Sequence, residues 1–186
     1  MNLASMIRGI NVGGHNKVPM AELKKLYGDL GLTEVRTLLN SGNVVFRVEE
    51  KKAKGLESRI EKAFAERFGF AVGVVNRTAE QLKRAIEECP FVGARFEEKK
   101  VALTFLKEAR TTELVLPKGF TLRGGASGTA AGGEEVVLGQ DVVFVYYTQG
   151  QADTKFTLPI IEKMVGSIGT ARGWGTVNKL LAMVAT

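Results

Sequence analysis

One short segment near the start of the sequence, residues 8–17 (RGINVGGHNK), carries the residue types best suited to binding a ligand. It joins a predicted strand to a predicted helix, and the N-terminus of a helix attracts anions through its free N–H groups and its dipole. Two consecutive glycines let a ligand approach the backbone closely, and a lysine adds positive charge. The segment therefore predicts a site for a small anion. The residues assigned to it are Arg8, Asn11, Gly13, Gly14 and Lys17.

The same segment partly matches the phosphate-binding P-loop. Gly9 and Gly14 have its G-x-x-x-x-G spacing, but the motif then requires Lys followed by Ser or Thr. This sequence has His15 and Asn16 at those positions, and Lys17 comes too late. We therefore reject nucleotide hydrolysis and keep two alternatives, a simple anion site or a structural turn.

Arg8 has two interpretations. It belongs to an apolar stretch that is expected to form a central strand, where a charged side chain must be paired or must face a ligand. Either it lies on an exposed sheet face and forms a salt bridge, or it forms the floor of a groove near Asn43. That groove would lie between the two structural units predicted below. Only the second interpretation makes Arg8 a ligand-binding residue.

Four residues elsewhere complete the candidate site. Ser41 and Asn43 belong to a turn-rich tetrapeptide, so their simplest role is to form a hairpin turn, with ligand binding as the alternative. Trp174 fits the apolar face of the last predicted helix, but its position near Arg172 also suits the wall of a pocket. We include Ser41, Asn43, Arg172 and Trp174 in the ligand-binding set.

Side chains suited to catalysis are scarce. His15 is the only histidine, and a glycine-rich loop is a poor place to hold a general base. Cys89, the only cysteine, is expected to be a small apolar filler rather than a nucleophile. One Cys and one His exclude a disulfide framework and a His/Cys-rich metal site made by this chain alone. Catalytic residues stay unknown, and neither a metal nor a cofactor is predicted.

The composition leaves more than one functional class open. The chain has 186 residues and is 45% hydrophobic, which is too apolar for a disordered protein. Residues 1–100 carry 18 Lys and Arg against 13 Asp and Glu, and a basic half can attract nucleic acid. Weak nucleic-acid binding is therefore one alternative to anion binding. The first predicted strand, however, lacks the aromatic residues on which an RNA-recognition motif stacks bases. An enzyme of unknown reaction is the other.

The sequence also predicts a location. Its first residues lack the basic and long apolar regions of a signal peptide. The longest apolar stretches, such as residues 142–147, have the length of a strand and are too short to cross a membrane. We expect a cytoplasmic protein that does not insert into membranes.

Hydrophobic periodicity predicts the same order of elements twice. The first half follows β-α-β-β-α-β, the order of a ferredoxin-like unit, and then a helix with a capping box at Thr78 and Gln81. The second half can be read in the same order, with a short first helix expected at residues 111–115. We predict an α+β fold of two tandem ferredoxin-like (βαββαβ) units, each followed by an extra helix, with domains at residues 1–92 and 99–186.

A segment of low complexity, residues 123–133, interrupts the second half. Five of the chain's 22 glycines lie in it, all between positions 124 and 133. Few of its side chains are able to order it, so we expect a flexible segment. A tolerated surface insertion and a mobile loop over a site are the two interpretations. A hairpin is predicted directly after it, across residues 139–141.

Two motifs resemble domain-of-unknown-function family 1697, a group of mostly bacterial proteins of about this length. They are residues 8–20 (RGINVGGHNKVPM) and 39–46 (LNSGNVVF). The similarity extends to residues 76–78, 101–106, 150–155 and 170–177, and so spans essentially the whole chain. Where the family pattern has asparagines on either side of the tryptophan, this sequence has Gly173 and Gly175. The resemblance implies a ferredoxin-like fold and supplies no activity.

Overall fold

The computed structural model describes residues 1–123, 125–152 and 154–186. The chain divides into two units, one of Met1–Lys83 with Lys179–Thr186 and the other of Arg84–Asn178. Each unit has its own antiparallel sheet and its own hydrophobic core. The described part is therefore a mixed α/β structure, with six α-helices and two sheets.

Up to residue 87 the chain forms four strands and four helices. In chain order they are β1 (Asn2–Ile7), α1 (Met20–Asp29), β2 (Thr33–Leu38), β3 (Asn43–Arg47), α2 (Glu50–Ala53), α3 (Leu56–Phe68), β4 (Val74–Arg77) and α4 (Ala79–Glu87). The sheet has the order β2-β3-β1-β4, and all of its strand pairs are antiparallel.

The core of this first unit follows the predicted helical stripes. Leu23 and Tyr27 of α1 are fully buried, as are Ile60 and Phe64 of α3. Spacings of four residues place each pair on one face, and that face packs on the sheet. The predicted C-terminal glycine of α3, Gly69, has the left-handed backbone that lets glycine end a helix.

The predicted capping box at the start of α4 is confirmed. The backbone N–H of Thr78 donates to the side-chain oxygen of Gln81 at 2.9 Å, and the N–H of Gln81 donates to the Thr78 hydroxyl at 3.2 Å. Both interactions are local, so the sequence alone was enough to predict them.

The second unit contains a larger sheet. After a 3-10 turn at Glu98–Lys100, the elements that follow along the chain are β5 (Val101–Leu106), β6 (Thr121–Arg123), β7 (Ser127–Thr129), β8 (Glu135–Leu138), β9 (Val142–Tyr146), α5 (Leu158–Val165), β10 (Gly169–Gly173) and α6 (Trp174–Val184), whose residues from Lys179 onward belong to the first unit. The strand order is β10-β5-β9-β8-β7-β6. The predicted hairpin across residues 139–141 is present as the antiparallel pair β8 and β9.

The predicted helix at residues 111–115 is wrong. The N–H groups of Thr111 and Val115 donate to the carbonyls of Val165 and Met164, both at 3.0 Å, so this stretch pairs with α5. The Thr111 hydroxyl also donates to a backbone carbonyl two residues further on, at 2.7 Å. A threonine that bonds nearby backbone in this way competes with helix formation.

The flexible segment predicted at residues 123–133 is wrong for the part that the structure describes; Gly124 lies outside it. Strand β7 pairs with both β6 and β8. A side chain at Gly128 would overlap the ring of Phe120, so the glycine permits close packing. Pairing with neighbouring strands supplies the order that the composition lacks.

Candidate functional site

Asn11 organises the loop between β1 and α1. Its side-chain oxygen accepts from the Val18 N–H at 2.8 Å. Its side-chain nitrogen donates to the carbonyl of Val18 at 2.9 Å and to that of Asn40 at 2.8 Å. Asn11 has a φ of 53°, a left-handed conformation that asparagine tolerates better than most residues. Its amide is therefore used to join the loop to the turn between β2 and β3.

The tip of this loop is exposed and consists of residues 12–15. The N–H of His15 donates to the Val12 carbonyl at 3.0 Å, which closes a tight turn. Gly13 and Gly14, inside the turn, have φ values of 58° and 80°. The turn explains why glycine occupies these two positions, and it leaves their backbone accessible.

A cleft of about 380 Å³ lies where this loop meets α1. Helix α1 has no side-chain cap, and Pro19 precedes it, so the N–H groups of its first turn have no partner within the helix. Lys17 is exposed, and in the described part of the chain its ammonium group makes no hydrogen bond or ion pair. The residues that line the cleft are Asn11, Gly14, Lys17, Val18, Pro19, Met20 and Asn40.

Ser41 and Asn43 stabilise the turn between β2 and β3. Asn43 is fully buried. Its side-chain nitrogen donates to the Leu38 carbonyl at 3.0 Å and to the Ser41 hydroxyl at 2.9 Å. Neither residue lines the cleft, but the turn that they hold carries Asn40, which does.

Arg8 does not lie within the strand, contrary to the prediction. Strand β1 ends at Ile7, and Gly9 has a φ of 70°, which breaks the extended conformation. Arg8 is half-buried at the bend, where its N–H donates to the Gly73 carbonyl at 2.8 Å. It is not among the residues that line the cleft.

Arg172 and Trp174 belong to the second unit. Arg172 is only 8% exposed, and its guanidinium donates to the Thr170 hydroxyl at 2.7 Å and to the Ala171 carbonyl at 2.8 Å. Burial lowers the pKa of Arg172 to about 10. Trp174 is half-buried at the first position of α6, and its carbonyl accepts from the Asn178 side chain at 2.9 Å.

The cleft thus unites three of the nine predicted residues, Asn11, Gly14 and Lys17. Asn40 also lines the cleft but was not among the predicted residues, although it belongs to the same turn tetrapeptide as Ser41 and Asn43. Its membership of this turn was visible in the sequence. That the turn faces the glycine-rich loop is visible only in the structure.

Two further properties concern the described residues as a whole. They contain no group of three or more His, Cys, Asp or Glu side chains placed to hold a metal ion. None of their helices combines the length and the hydropathy that crossing a membrane requires.

Comparison with known proteins identifies relatives of this chain. No curated protein matches it significantly. Among solved structures, the conserved bacterial protein SP0830 from Streptococcus pneumoniae is 24% identical, and the alignment covers 98% of both chains with a TM-score of 0.66. This similarity concerns the fold alone. The family model described as "Protein of unknown function (DUF1697)" matches residues 1–136, and the chain belongs to that family.

Proposed function

We propose that this protein binds a small anion, such as phosphate, sulfate or a carboxylate, in the cleft at the start of α1. The observation that carries the proposal is the position of Lys17 beside a helix N-terminus that has no side-chain cap. The helix dipole and the free N–H groups of the first turn favour negative charge there.

Each lining residue has a distinct role in this proposal. Lys17 supplies the positive charge, and Gly14 exposes backbone to the ligand. Asn11 holds the loop against Asn40, so that the cleft keeps its shape when it is empty. Ser41 and Asn43 support the cleft through the turn, without contacting the ligand.

A phosphate titration followed by heteronuclear NMR on the full chain tests the proposal. We expect shifts in the amides of residues 13–18 and 20–22 and, in Lys17→Ala, a loss of affinity of about three- to tenfold, because one charged contact is removed. Lys24→Ala is the matched control, since Lys24 is an exposed lysine of α1 that does not line the cleft. Shifts spread over many lysines, or equal effects of the two variants, would contradict the site.

Nucleic-acid binding has less support. Two basic runs of the first hundred residues form ion pairs with carboxylates next to them. Lys52 contacts Glu49 at 2.8 Å, and Lys99 contacts Glu97 at 3.1 Å. Charges neutralised in this way contribute little to phosphate binding. We therefore rank a small anion above a polynucleotide, and we retain the cytoplasm as the proposed location.

We also propose that both units are ferredoxin-like. The order β2-β3-β1-β4 supports this for the first unit, and β10-β5-β9-β8 supports it for the second, with β6 and β7 in place of a first helix. In both units a helix glutamate accepts from the backbone of the last strand, Glu61 from Val74 and Glu162 from Gly169, each at 2.9 Å. The domain bounds 1–92 and 99–186 belong to the same proposal.

A further inference from the structure

A second cavity, of about 270 Å³, lies entirely within the second unit and is separate from the proposed anion site. Its wall is largely apolar. Phe120 and Phe156 stack with their ring centroids 5.9 Å apart, and Ile160 of α5 lines the same space. A cavity of this size and character suits a small organic molecule better than an inorganic ion.

One carboxylate is buried in this apolar wall. Glu134 is 5% exposed, and one of its oxygens accepts from the Thr154 hydroxyl at 2.5 Å. The other oxygen is buried and has no hydrogen-bond partner in the described part of the chain. A buried carboxylate oxygen without a donor is costly, and a ligand that supplies an N–H group removes that cost. Glu134 is one of the residues that line the cavity, so the cavity is the place from which a ligand would approach it.

The glycine-rich segment holds Glu134 in this position. The N–H of Ala130 donates to the Glu134 carbonyl, and the N–H of Gly133 donates to the Ala130 carbonyl, both at 2.9 Å. Gly133 has a φ of 86°, and a Cβ atom at Gly132 would lie 2.7 Å from both carboxylate oxygens. Both glycines are therefore needed for a backbone turn that places a carboxylate against the cavity.

The charges around the cavity restrict the ligand further. Lys118 and Lys155 also line it, and both are exposed. A simple amine would approach Glu134 against the repulsion of two lysines, whereas a ligand with its own carboxylate would be attracted by them. The favourable combination is an ammonium group, a carboxylate and a hydrocarbon body.

We propose that this cavity binds a small apolar zwitterion of the α-amino acid class. The ammonium group donates to the free oxygen of Glu134, and the carboxylate lies towards Lys118 and Lys155. The apolar side chain packs against Phe120, Phe156 and Ile160. The site is independent of the anion cleft of the first unit.

Titration of the full chain with three related probes, followed by heteronuclear NMR, tests this proposal. L-leucine carries both charges, isoamylamine lacks the carboxylate, and 4-methylpentanoate lacks the amine. We expect leucine to shift the amides of Ala131, Gly132 and Phe156, and each analogue to bind more weakly. Glu134→Gln should weaken leucine binding by about ten- to a hundredfold, because a charge-assisted hydrogen bond is lost. Glu113→Gln, an exposed glutamate that does not line the cavity, should leave it unchanged.

Other outcomes overturn the proposal. If leucine produces no shifts at these amides at millimolar concentration, or binds Glu134→Gln as well as the unmodified protein, the site does not exist as described. If isoamylamine binds as tightly as leucine, the zwitterion class is wrong.

Should Glu134→Gln fail to fold, the double variant Lys118→Ala, Lys155→Ala tests the other end of the ligand. It should weaken leucine but not isoamylamine, and equal effects on both would contradict the proposal. A phosphate titration of the first-unit cleft should be unaffected in every variant, so failure of one site is distinguishable from failure of the other.

Discussion

The first strand of each unit pairs with its neighbours in the same register. In the first unit, Ala4 of β1 lies opposite Arg77 of β4, and in the second, Leu103 of β5 lies opposite Arg172 of β10. Both arginines are buried, and each donates to the carbonyl of the residue before it at 2.8 Å. The two strand pairs therefore share both a register and a side-chain interaction near the end of the last strand.

The correspondence continues for a few residues beyond the first strand. The N–H of Arg8 donates to Gly73 at 2.8 Å, and that of Lys107 donates to Ile168 at 2.7 Å. Three residues later, the Asn11 side chain donates to a carbonyl in the turn between β2 and β3, at 2.8 Å. The Arg110 side chain likewise donates to a carbonyl in the turn between β8 and β9, at 3.0 Å. An amide and a guanidinium thus occupy the same position in the two units.

After this point the units diverge, and each candidate site lies where they do. The first unit continues into a glycine-rich turn and α1, which form the cleft that we propose binds an anion. The second continues into β6 and β7, next to the cavity that contains Glu134. In our two proposals, the connection that follows the first strand determines which ligand chemistry each unit offers.

Gly42 offers the strongest test of how tightly the first unit is packed at its turn. We expect Gly42→Ala to lower the free energy of unfolding by about 2–4 kcal/mol, measured by denaturant titration. Gly42 has a φ of 75°, and a Cβ atom there would lie 2.9 Å from the side chain of Ile10. Gly14→Ala is the control, because Gly14 has a φ of 80° but open space around it. Its cost should be only about 1 kcal/mol, and equal costs would show that backbone conformation, not packing, requires the glycine.

Substitutions of Asn11 and Arg110 test whether this corresponding position contributes equally to the stability of both units. We expect Asn11→Ala to cost about 2–3 kcal/mol, because it removes three hydrogen bonds and places alanine at a positive φ. Arg110→Ala should cost about 1 kcal/mol or less, because it removes only one part-buried and one exposed, long hydrogen bond and leaves the backbone conformation unchanged. Thermal and denaturant unfolding measure both. A larger loss for Arg110→Ala would reverse our assignment of the more strongly held loop to the first unit.

The two units also differ at Tyr147, whose ionisation makes the stability of the protein depend on pH. Burial, together with the nearby charge of Glu134, raises the pKa of Tyr147 to about 12, whereas the equivalent residue in the first unit, Val48, cannot ionise. The unfolded chain releases the phenol proton near pH 10 and the folded chain only near pH 12, so stability falls as the pH rises between these values.

The change to test this is Tyr147→Phe. Compared with the unmodified protein, we expect the variant to lose about 2 kcal/mol less stability between pH 10 and 12, as measured by urea unfolding at several pH values. Glu134→Gln should reduce the loss in the same direction by a smaller amount. Parallel pH profiles for the unmodified protein and Tyr147→Phe would refute the assignment.

The parts of the fold that were predictable from sequence depend on local patterns. The stripe of Leu23 and Tyr27 and the capping box of Thr78 and Gln81 involve residues three or four positions apart, and both are present. The predicted hairpin between β8 and β9 is likewise local. At such short separations, residue type and spacing are enough to determine the structure.

The parts that were not predictable depend on distant contacts. Asn11 reaches Asn40, 29 residues away, and this contact forms one wall of the cleft. The segment around Gly128 was expected to be flexible from its composition, but pairing with β8 orders it. Nothing in the sequence distinguishes Glu134, which is buried, from its neighbour Glu135, which forms an ion pair with Arg95. Burial of one of two adjacent glutamates is set by the sheet, not by residue type.

The smallest expected effect tests whether the shared framework also holds at the last strand of each sheet. Glu61 of α3 and Glu162 of α5, both half-buried, accept hydrogen bonds from the first residues of β4 and β10. We expect Glu61→Ala and Glu162→Ala each to lower the free energy of unfolding by about 1–2 kcal/mol in denaturant titrations, because each removes a charged acceptor from a strand N–H.

The control for this pair is Glu66→Ala. Glu66 is an exposed residue of α3 whose contact with Lys62 is 4.0 Å, so its removal should cost a few tenths of a kcal/mol. Similar losses for Glu61→Ala and Glu162→Ala would mean that helix and strand are joined in the same way in both units. A loss confined to one of them would limit the correspondence to the strands. In that case the helix before the last strand of each unit, like the connection after the first strand, would differ between the units although the strand register is the same.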